Sequence, residues 1–369
     1  MERKPQEVLQ RLHEEHIPVY SFSRIETFHQ CLYQRYRTYI LHDTENMLPS
    51  IYGNLGGKIH DALEKLQNGE VDEKYLIKAL DAEIADMDMI ALKFPKIGDN
   101  ENLVRDNWVA NMTDFCYKYR KPKGNFKTEE FFLYETPNHY YLQGYIDLIK
   151  FNKDGTVDIY DYKSSSMYTG AEIQTHARQL VLYALALEQQ GFTVRKIRWI
   201  FLKYVTVKYT GKKTAKSKSE TKIEKVIERR KLLKDLRPVV EDKLRKHGRD
   251  DFDIDYIFNY TSIIEHNCIP EEIVDEFTIT PHVKYYPLTD ETRQEAIDYF
   301  ENSIQNWEAL SKEEQDYPPR PFTRILKNGK ETDDSFFCTT LCAYRKCCPY
   351  LKEYIEQRDI EKSEEDDLF

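Results

Sequence analysis

Hydrophobic and polar residues alternate along two neighbouring segments in the middle of the chain, residues 141–151 and 157–162. An alternation with a period of two is typical of β-strands that bury one face. The segments flank residues 152–155, which read Asn-Lys-Asp-Gly, and Asp-Gly between two such runs is a strong hairpin signal. The pattern therefore predicts two antiparallel strands, and the alternation over residues 194–207 predicts a further strand.

A helical period follows the hairpin. Its apolar stripe consists of Ile173, Ala177, Leu180, Ala184 and Leu187. His176, Gln179 and Tyr183 share a neighbouring, more polar face of the same predicted helix. We expect the apolar stripe to pack on the sheet, which would present the polar face to the acidic residues of the hairpin.

Residues 21–40 also have a helical pattern. Ser23 and Glu26 have the spacing of a capping box, which predicts a helix start at this point. The predicted helix runs through Cys31 to about residue 40. Its arginines, which are expected to remain available for solvent or phosphate, are Arg24, Arg35 and Arg37.

The remaining periodicity predicts a chain of six segments. A glycine-rich lead at residues 52–57 enters another helix, residues 72–120 are helical, and a late helix covers about 289–310. The predicted segments are N-terminal helices (1–70), a helical subdomain (71–127), an α/β core (128–210), a basic and mixed insertion (211–310), a cysteine-rich segment (311–358) and an acidic tail (359–369).

Composition indicates a globular protein with a sizeable core. The chain has 369 residues, of which 40% are hydrophobic and 13% aromatic. We find no apolar run of membrane-spanning length, and the first residues are charged and helical rather than a signal peptide. A cytoplasmic protein without a membrane partner is therefore expected.

The net charge of −10 gives no global attraction for nucleic acid, so a DNA site would need a local basic patch. One such patch is a run of cationic residues: Lys203, Lys208, Lys212, Lys213, Lys216, Lys218, Lys222, Lys225, Arg229, Arg230, Lys231 and Lys234. Such a run is usually a solvated helix and loop. Beside a phosphodiesterase centre it would instead be a clamp for the DNA backbone.

Two acids and a lysine form the candidate catalytic centre. Asp147 lies in the first strand of the hairpin, Asp161 ends the second, and Lys163 follows at a spacing of two, which places its side chain on the same face as Asp161. Carboxylates are the ligands that Mg²⁺ prefers, and a lysine can orient water or offset negative charge. As an isolated tripeptide, Asp161-Tyr162-Lys163 would more often be an ordinary surface sequence, and only the order of strand, turn, strand and helix around it reverses that interpretation.

Asp147 together with Asp161-Tyr162-Lys163 resembles the metal-binding core of the PD-(D/E)XK nuclease superfamily. The segment Gln179–Tyr183 is similar to the Q-x-x-x-Y helix of its RecB-like branch, and Gly56 and His60 match a G-x-x-x-H frame. The resemblance implies a restriction-endonuclease-like α/β core, in which a mixed central sheet is flanked by helices, with a helical insertion.

The resemblance also implies roles for individual residues. His60, Asp147, Asp161 and the backbone carbonyl of Tyr162 would bind Mg²⁺ or Mn²⁺, while Lys163 would position water. Gln179 and Tyr183 would orient the site or the scissile phosphate. From the residues alone, a single histidine such as His60 is more often structural than a metal ligand. Glu135 is a lesser candidate acid, since an edge-strand glutamate would look the same.

The chain has seven cysteines, four of them within residues 338–348. This odd, crowded set favours a metal site in a reducing compartment over a disulfide framework. The spacing of Cys338, Cys342 and Cys348 allows them to bind one metal centre, with Cys31 as the fourth ligand and Cys347 as a competitor of Cys348.

One early cysteine plus three late ones resembles the iron–sulfur subset of the superfamily, which includes AddB-type, exonuclease V-type and CRISPR adaptation nucleases. The resemblance implies a [4Fe–4S] cluster that staples the C-terminal segment, although the first gap has three residues rather than two. Zinc bound by the same thiolates is the chemical alternative.

The predicted function is a metal-dependent DNA nuclease, an exonuclease acting on single strands or ends in recombination, repair or replication. A catalytically silent DNA-binding scaffold with a structural cluster is the alternative. No Gly-Lys-Ser/Thr ending follows the glycine-rich lead, so no ATP site is expected. The acidic end, residues 364–369, is either a disordered tail or a contact for a replication or recombination protein.

Overall fold

The computed structural model describes residues 5–96, 100, 102–211, 221–264 and 268–366. Its helices are α1 (Pro5–Glu14), α2 (Phe22–Gln30), α3 (Leu32–Arg35), α4 (Ile51–Asn68), α5 (Lys74–Met89), α6 (Leu103–Lys118), α7 (Glu172–Gln189), α8 (Leu232–Lys246), α9 (Asp251–Ile264), α10 (Asp290–Glu308) and α11 (Pro349–Asp366). Its strands are β1 (Val19–Ser21), β2 (Asn125–Glu135), β3 (Tyr141–Phe151), β4 (Thr156–Lys163), β5 (Thr193–Gly211), β6 (Thr221–Glu228), β7 (Phe277–Tyr286), β8 (Thr323–Ile325) and β9 (Glu331–Asp333).

The chain divides into two compact units. Unit 1 consists of Met1–Asn54, Phe131–Gly144 and Arg293–Phe369, and unit 2 consists of Leu55–Glu130 and Tyr145–Thr292. The candidate catalytic residues belong to unit 2, whereas the four candidate cluster cysteines belong to unit 1.

Unit 2 is built on a mixed sheet. β4 runs parallel to β5 and antiparallel to β3, and β5 also pairs antiparallel with β6 and β7. Helix α7 packs on β4 and β5 and turns a buried apolar stripe toward them. Ile197, Trp199 and Phe201 of β5 are fully buried. This arrangement confirms the predicted α/β core with helices against a mixed sheet.

The predicted hairpin is present. Phe151 pairs with Val157 and Leu148 with Tyr160, so the strands have the register of a short-turn hairpin. Gly155 has φ +81°, a conformation that glycine adopts without a steric penalty. The Asp-Gly turn signal therefore gave the correct position of both strands.

Unit 1 contains α1–α3, α10, α11 and the small β8–β9 hairpin, and β1 pairs in parallel with the first residues of β3. Its aromatic core includes Tyr33, Tyr36 and Tyr317, which pack around Cys31 and Cys338. The cysteines therefore lie in the apolar interior of the unit rather than on an exposed loop.

The start and the continuity of the second helix differ from prediction. Helix α2 is capped by Ser21, whose hydroxyl accepts a hydrogen bond from the Arg24 N–H, so the predicted Ser23–Glu26 capping box is wrong. Cys31 is in an extended conformation and separates α2 from α3, and a π-helical turn follows at Tyr36–Ile40. Hydrophobic spacing did not reveal this break, because the apolar stripe continues through it.

The arginines of this region are not free as predicted. Arg35 is completely buried and lies over the Trp307 ring. Arg37 forms an ion pair with Asp43, and Arg24 stacks on Tyr39. Aromatic side chains offer a cation a favourable face, which explains why these side chains turn inward.

Two further segments also differ from prediction. The glycine-rich lead at residues 52–57 is helical, since α4 already begins at Ile51. Residues 221–228 of the basic run form strand β6 rather than a helix, paired with β5. The lysines of this run at positions 212, 213, 216 and 218 lie outside the described residues.

Candidate active site

The two aspartates come from adjacent strands. Asp147 lies on β3 and Asp161 on β4, and the backbone pairing of these two strands ends at Leu148 and Tyr160, just before them. Beyond that point, the N–H of Tyr162 donates to Asp147 Oδ2 at 2.8 Å. The carboxylate thus accepts a hydrogen bond from a backbone group at the end of the hairpin, which fixes its position.

Lys163 is held in a chain of polar contacts. Its Nζ lies 2.8 Å from Asp161 Oδ2 and donates to Gln179 Oε1 at 3.4 Å. The Gln179 amide in turn donates to the Tyr183 hydroxyl at 2.7 Å. The polar face predicted for α7 therefore points at the lysine, as expected from its spacing.

Burial and charge oppose each other in this pair. Burial raises the pKa of Asp161 and outweighs the opposite effect of the neighbouring Lys163. Burial alone would lower the pKa of Lys163, but Asp161 raises it above its usual range, so the ammonium keeps its charge. Asp161 Oδ2 is a buried atom, and the Lys163 ammonium lies 2.8 Å from it.

His60 reaches the acids from helix α4. Its Nδ1 lies 3.4 Å from Asp147 Oδ2. A side chain at Gly56, one turn earlier on the same face, would place its Cβ 3.3 Å from Ser164 Oγ, just after β4. The glycine therefore allows α4 to approach the end of β4 closely, which gives a physical reason for the Gly56–His60 spacing.

Glu129 is an acid of the site that the sequence analysis missed. Three side chains, those of His60, Glu129 and Asp147, each offer one possible metal-ligand atom. These three atoms lie within 4.8 Å of one another. Burial, followed by repulsion from Asp147, raises the pKa of Glu129 to about 7. Its φ of +45° is unusual for a residue with a side chain, and such strain is common at functional sites.

Glu135, the lesser candidate acid, lies at the C-terminal end of β2. That residue instead forms an ion pair with His139 in the turn before β3, with a 2.6 Å separation. The signal for Glu129 was an acidic pair, Glu129-Glu130, directly before the apolar run 131–134. Periodicity could not show which acid turns inward, because the positive φ at Glu129 changes the direction of its side chain.

These donors fit a divalent cation. Two carboxylates and an imidazole converge, and a third carboxylate, Asp161, is close enough to Asp147 and His60 for their charges to affect its pKa. Hard cations such as Mg²⁺ and Mn²⁺ favour oxygen ligands. The Tyr162 carbonyl, which the resemblance also implies as a ligand, belongs to the residue whose N–H holds Asp147.

Unit 1 brings the predicted cysteines together. Cys31, Cys338, Cys342 and Cys348 are each less than a tenth exposed. Burial, followed by repulsion from the nearby thiols of Cys31, Cys342 and Cys348, raises the pKa of Cys338 to about 12. The four buried thiols therefore lie near one another in the interior of unit 1.

Cys347 faces a different environment. Its Sγ contacts the Tyr344 carbonyl at 3.5 Å, and its side chain is only partly buried. Burial raises the pKa of Cys348, Cys342 and Cys338, and negative charge on Cys31 acts in the same direction on all three. The geometry thus groups Cys348, rather than Cys347, with the other three.

The basic run is only partly available to a ligand. Lys222 and Lys225 are exposed on β6, whereas Lys208 pairs with Glu224. Arg229 is buried, donates to the Leu202 carbonyl at 2.7 Å, and is not the surface cation that was predicted.

The fold and the acid–lysine site define a metal-dependent phosphodiesterase of the nuclease type. A family model described as the PD-(D/E)XK nuclease superfamily matches residues 19–349, so the chain belongs to this superfamily. Its members hydrolyse phosphodiester bonds with divalent metal ions. No curated protein matches the chain. No helix in the described part of the chain has the length and apolar character needed to cross a membrane.

Proposed function

We propose that this protein is a DNA exonuclease of the RecB-like, AddB-like branch, acting on single strands or ends in recombination, repair or replication. The convergence of His60, Glu129 and Asp147 beside the Asp161–Lys163 pair carries the proposal. A scaffold that had lost catalysis would have no need for a partly buried glutamate with a strained backbone at this position.

The chain's own residues have distinct roles in this proposal. His60, Glu129, Asp147 and Asp161 would hold Mg²⁺ or Mn²⁺, and when bound the ion supplies positive charge and a more acidic water. Lys163 keeps its proton and therefore acts as a cation that orients water or a phosphate oxygen. Gln179 fixes the direction of the lysine, and Tyr183 fixes the glutamine.

The test is a cleavage assay with Mn²⁺ on DNA labelled at the 5′ or 3′ end. We expect release of short products from linear single strands and no cutting of circular ones. Asp147→Asn and Lys163→Met should each lower the rate about 100-fold or more. Asp154→Asn, in the exposed hairpin turn, is the matched control and should cut normally.

Two results would contradict this proposal. Equal cutting by the wild type, Asp147→Asn and Lys163→Met would mean that a contaminant supplies the activity. Cutting of circular DNA that depends on Asp147 would leave a nuclease but make it an endonuclease.

We further propose that the four thiols of unit 1 bind a [4Fe–4S] cluster. The order of one early and three late cysteines, which resembles the iron–sulfur subset of the superfamily, supports a cluster in which each cysteine binds a different iron. Zinc bound by the same thiolates is the chemical alternative.

DNA contact and cellular location are also proposals. Exposed cations such as Lys222 and Lys225 on β6 are suited to phosphate contacts, which dominate the affinity for DNA. The described cysteines are all free thiols, which suits a reducing compartment such as the cytoplasm. Residues 367–369 of the acidic tail, the possible contact for a replication or recombination protein, lie outside the described residues.

A further inference from the structure

A cavity of about 590 Å³ lies within unit 2. Leu148 and Lys150 of β3 and Tyr160 of β4 line it. These positions alternate along their strands with Asp147 and Asp161, and alternate residues of a strand point to opposite faces of a sheet. The cavity therefore lies on the other face of the sheet from the candidate active site. Its volume is in the range of small-molecule sites.

The interior of the cavity is apolar, and its buried polar groups already have partners. The Tyr119 and Tyr162 hydroxyls lie 3.2 Å apart and hydrogen-bond to each other. The Arg229 guanidinium donates to Asp114 Oδ2 at 3.3 Å. An occupant would therefore meet few unpaired donors or acceptors inside, which favours a hydrocarbon or aryl body over one with many polar edges.

Cations that line the same cavity give it a positive charge. Arg120, Lys123 and Lys150 all contribute to its wall. Among the described residues, none of these three forms an ion pair with a carboxylate. Asp114, an acid of the lining, is already engaged by Lys118 and Arg229. Since the whole chain carries a net charge of −10, this excess of positive charge is local to the cavity.

We propose that this cavity is a binding site for a small amphiphilic anion, whose carboxylate or sulfonate head contacts Lys150, Arg120 and Lys123 and whose apolar body fills the interior. A nucleotide fits less well, because the edges of its base would lose water without gaining hydrogen bonds. The proposed head-group residues are not candidate metal ligands; only Tyr162 belongs to both places, through its side chain in the cavity wall and its backbone at the active site. Occupation of the cavity does not depend on the nuclease proposal.

The test uses the full-length protein and anilinonaphthalene sulfonate, a fluorescent aryl anion. We expect one probe per chain, displaced by decanoate and not by dAMP at the same concentration. Lys150→Glu should weaken binding about tenfold or more, because it reverses a charge at the head group. Val274→Trp should also weaken binding, since Val274 lines the cavity and is 40% exposed, so a larger side chain would block the opening.

Matched variants separate this site from general surface binding. Lys153→Glu lies in the exposed turn outside the cavity, and Ile325→Trp replaces an apolar residue that is 76% exposed in unit 1. Both should bind the probe as the wild type does, and all four variants should keep the wild-type melting temperature. Unchanged probe affinity in Lys150→Glu and Val274→Trp would overturn the proposal. Displacement of the probe by dAMP but not by decanoate would show that the ligand is not an anion with an apolar body.

Discussion

The protonation of Glu129 gives the site its expected pH dependence. Its pKa is raised from 4.5 to about 7, so without metal the folded state holds a proton that the unfolded state has released. The raised pKa of Glu129 therefore makes the free energy of unfolding depend on pH. The stabilisation is fully present below pH 4.5 and is lost as the pH rises through about 7. Divalent metal ions bind the carboxylate form and compete with that proton.

We therefore predict that the increase in melting temperature caused by Mn²⁺ grows between pH 6 and pH 8. Glu129→Gln should abolish most of this growth, because the amide carries no proton that the metal must displace. Glu130→Gln is the neighbouring control, since Glu130 pairs with Lys127 instead. A thermal unfolding series with and without Mn²⁺ measures the effect, and equal pH dependence in wild type and Glu129→Gln would contradict it.

The sequence predicted site residues where a regular element fixed their direction. Asp161 and Lys163 share a face because a strand has a period of two, and Gln179 and Tyr183 share one because a helix brings residues four apart together. Glu129 was not predicted as a site residue because its backbone departs from the regular strand conformation. Local irregularity, rather than distance along the chain, limited the prediction.

At the scale of elements, the packing of α4 against the loop after β4 determines where His60 lies. Gly56 and Gly57 are neighbours in this helix but have different surroundings. A Cβ at Gly56 would meet Ser164 Oγ at 3.3 Å, whereas a Cβ at Gly57 meets nothing within 4 Å. The two glycines therefore form a natural pair for testing the role of the close approach.

We predict that Gly56→Val moves α4 and weakens Mn²⁺ binding about tenfold or more, because His60 is one turn away on the same face. Gly57→Val should leave Mn²⁺ affinity unchanged, and it should not destabilise the helix, since valine has the better helix propensity. Calorimetric titration with Mn²⁺ on both variants provides the comparison. Equal affinities would show that the close contact does not position His60.

The elements also show why some boundaries could not be predicted. The Asp-Gly turn carries a strong local signal, and both strands of the hairpin began and ended within a residue or two of the expected positions. The break at Cys31 has no such signal, because apolar residues continue in register on both sides of it. Its extended conformation is explained by tertiary packing, in which Cys31 joins residues more than 300 positions later.

At the scale of the molecule, four thiols join the two ends of the chain within unit 1. Resemblance and spacing identified Cys31, Cys338 and Cys342, whereas sequence alone left Cys347 and Cys348 as competitors. The structure separates these two, since Cys348 lies among the other thiols and Cys347 contacts the Tyr344 carbonyl. The metal centre proposed here would close a very long loop and so limit the freedom of the unfolded chain.

The adjacent cysteines allow a matched experiment on the whole chain. We predict that Cys348→Ser loses iron and the brown colour, melts at a lower temperature, and becomes sensitive to proteolysis within residues 311–358. Cys347→Ser should keep its iron and wild-type resistance, because Cys347 lies outside the group of four. Iron and zinc analysis with limited proteolysis measures both. Iron loss in Cys347→Ser but not in Cys348→Ser would reverse the ligand assignment. A wild-type protein that contains zinc and no iron would show that the site is a zinc site rather than a cluster, because the same thiolates can bind either metal.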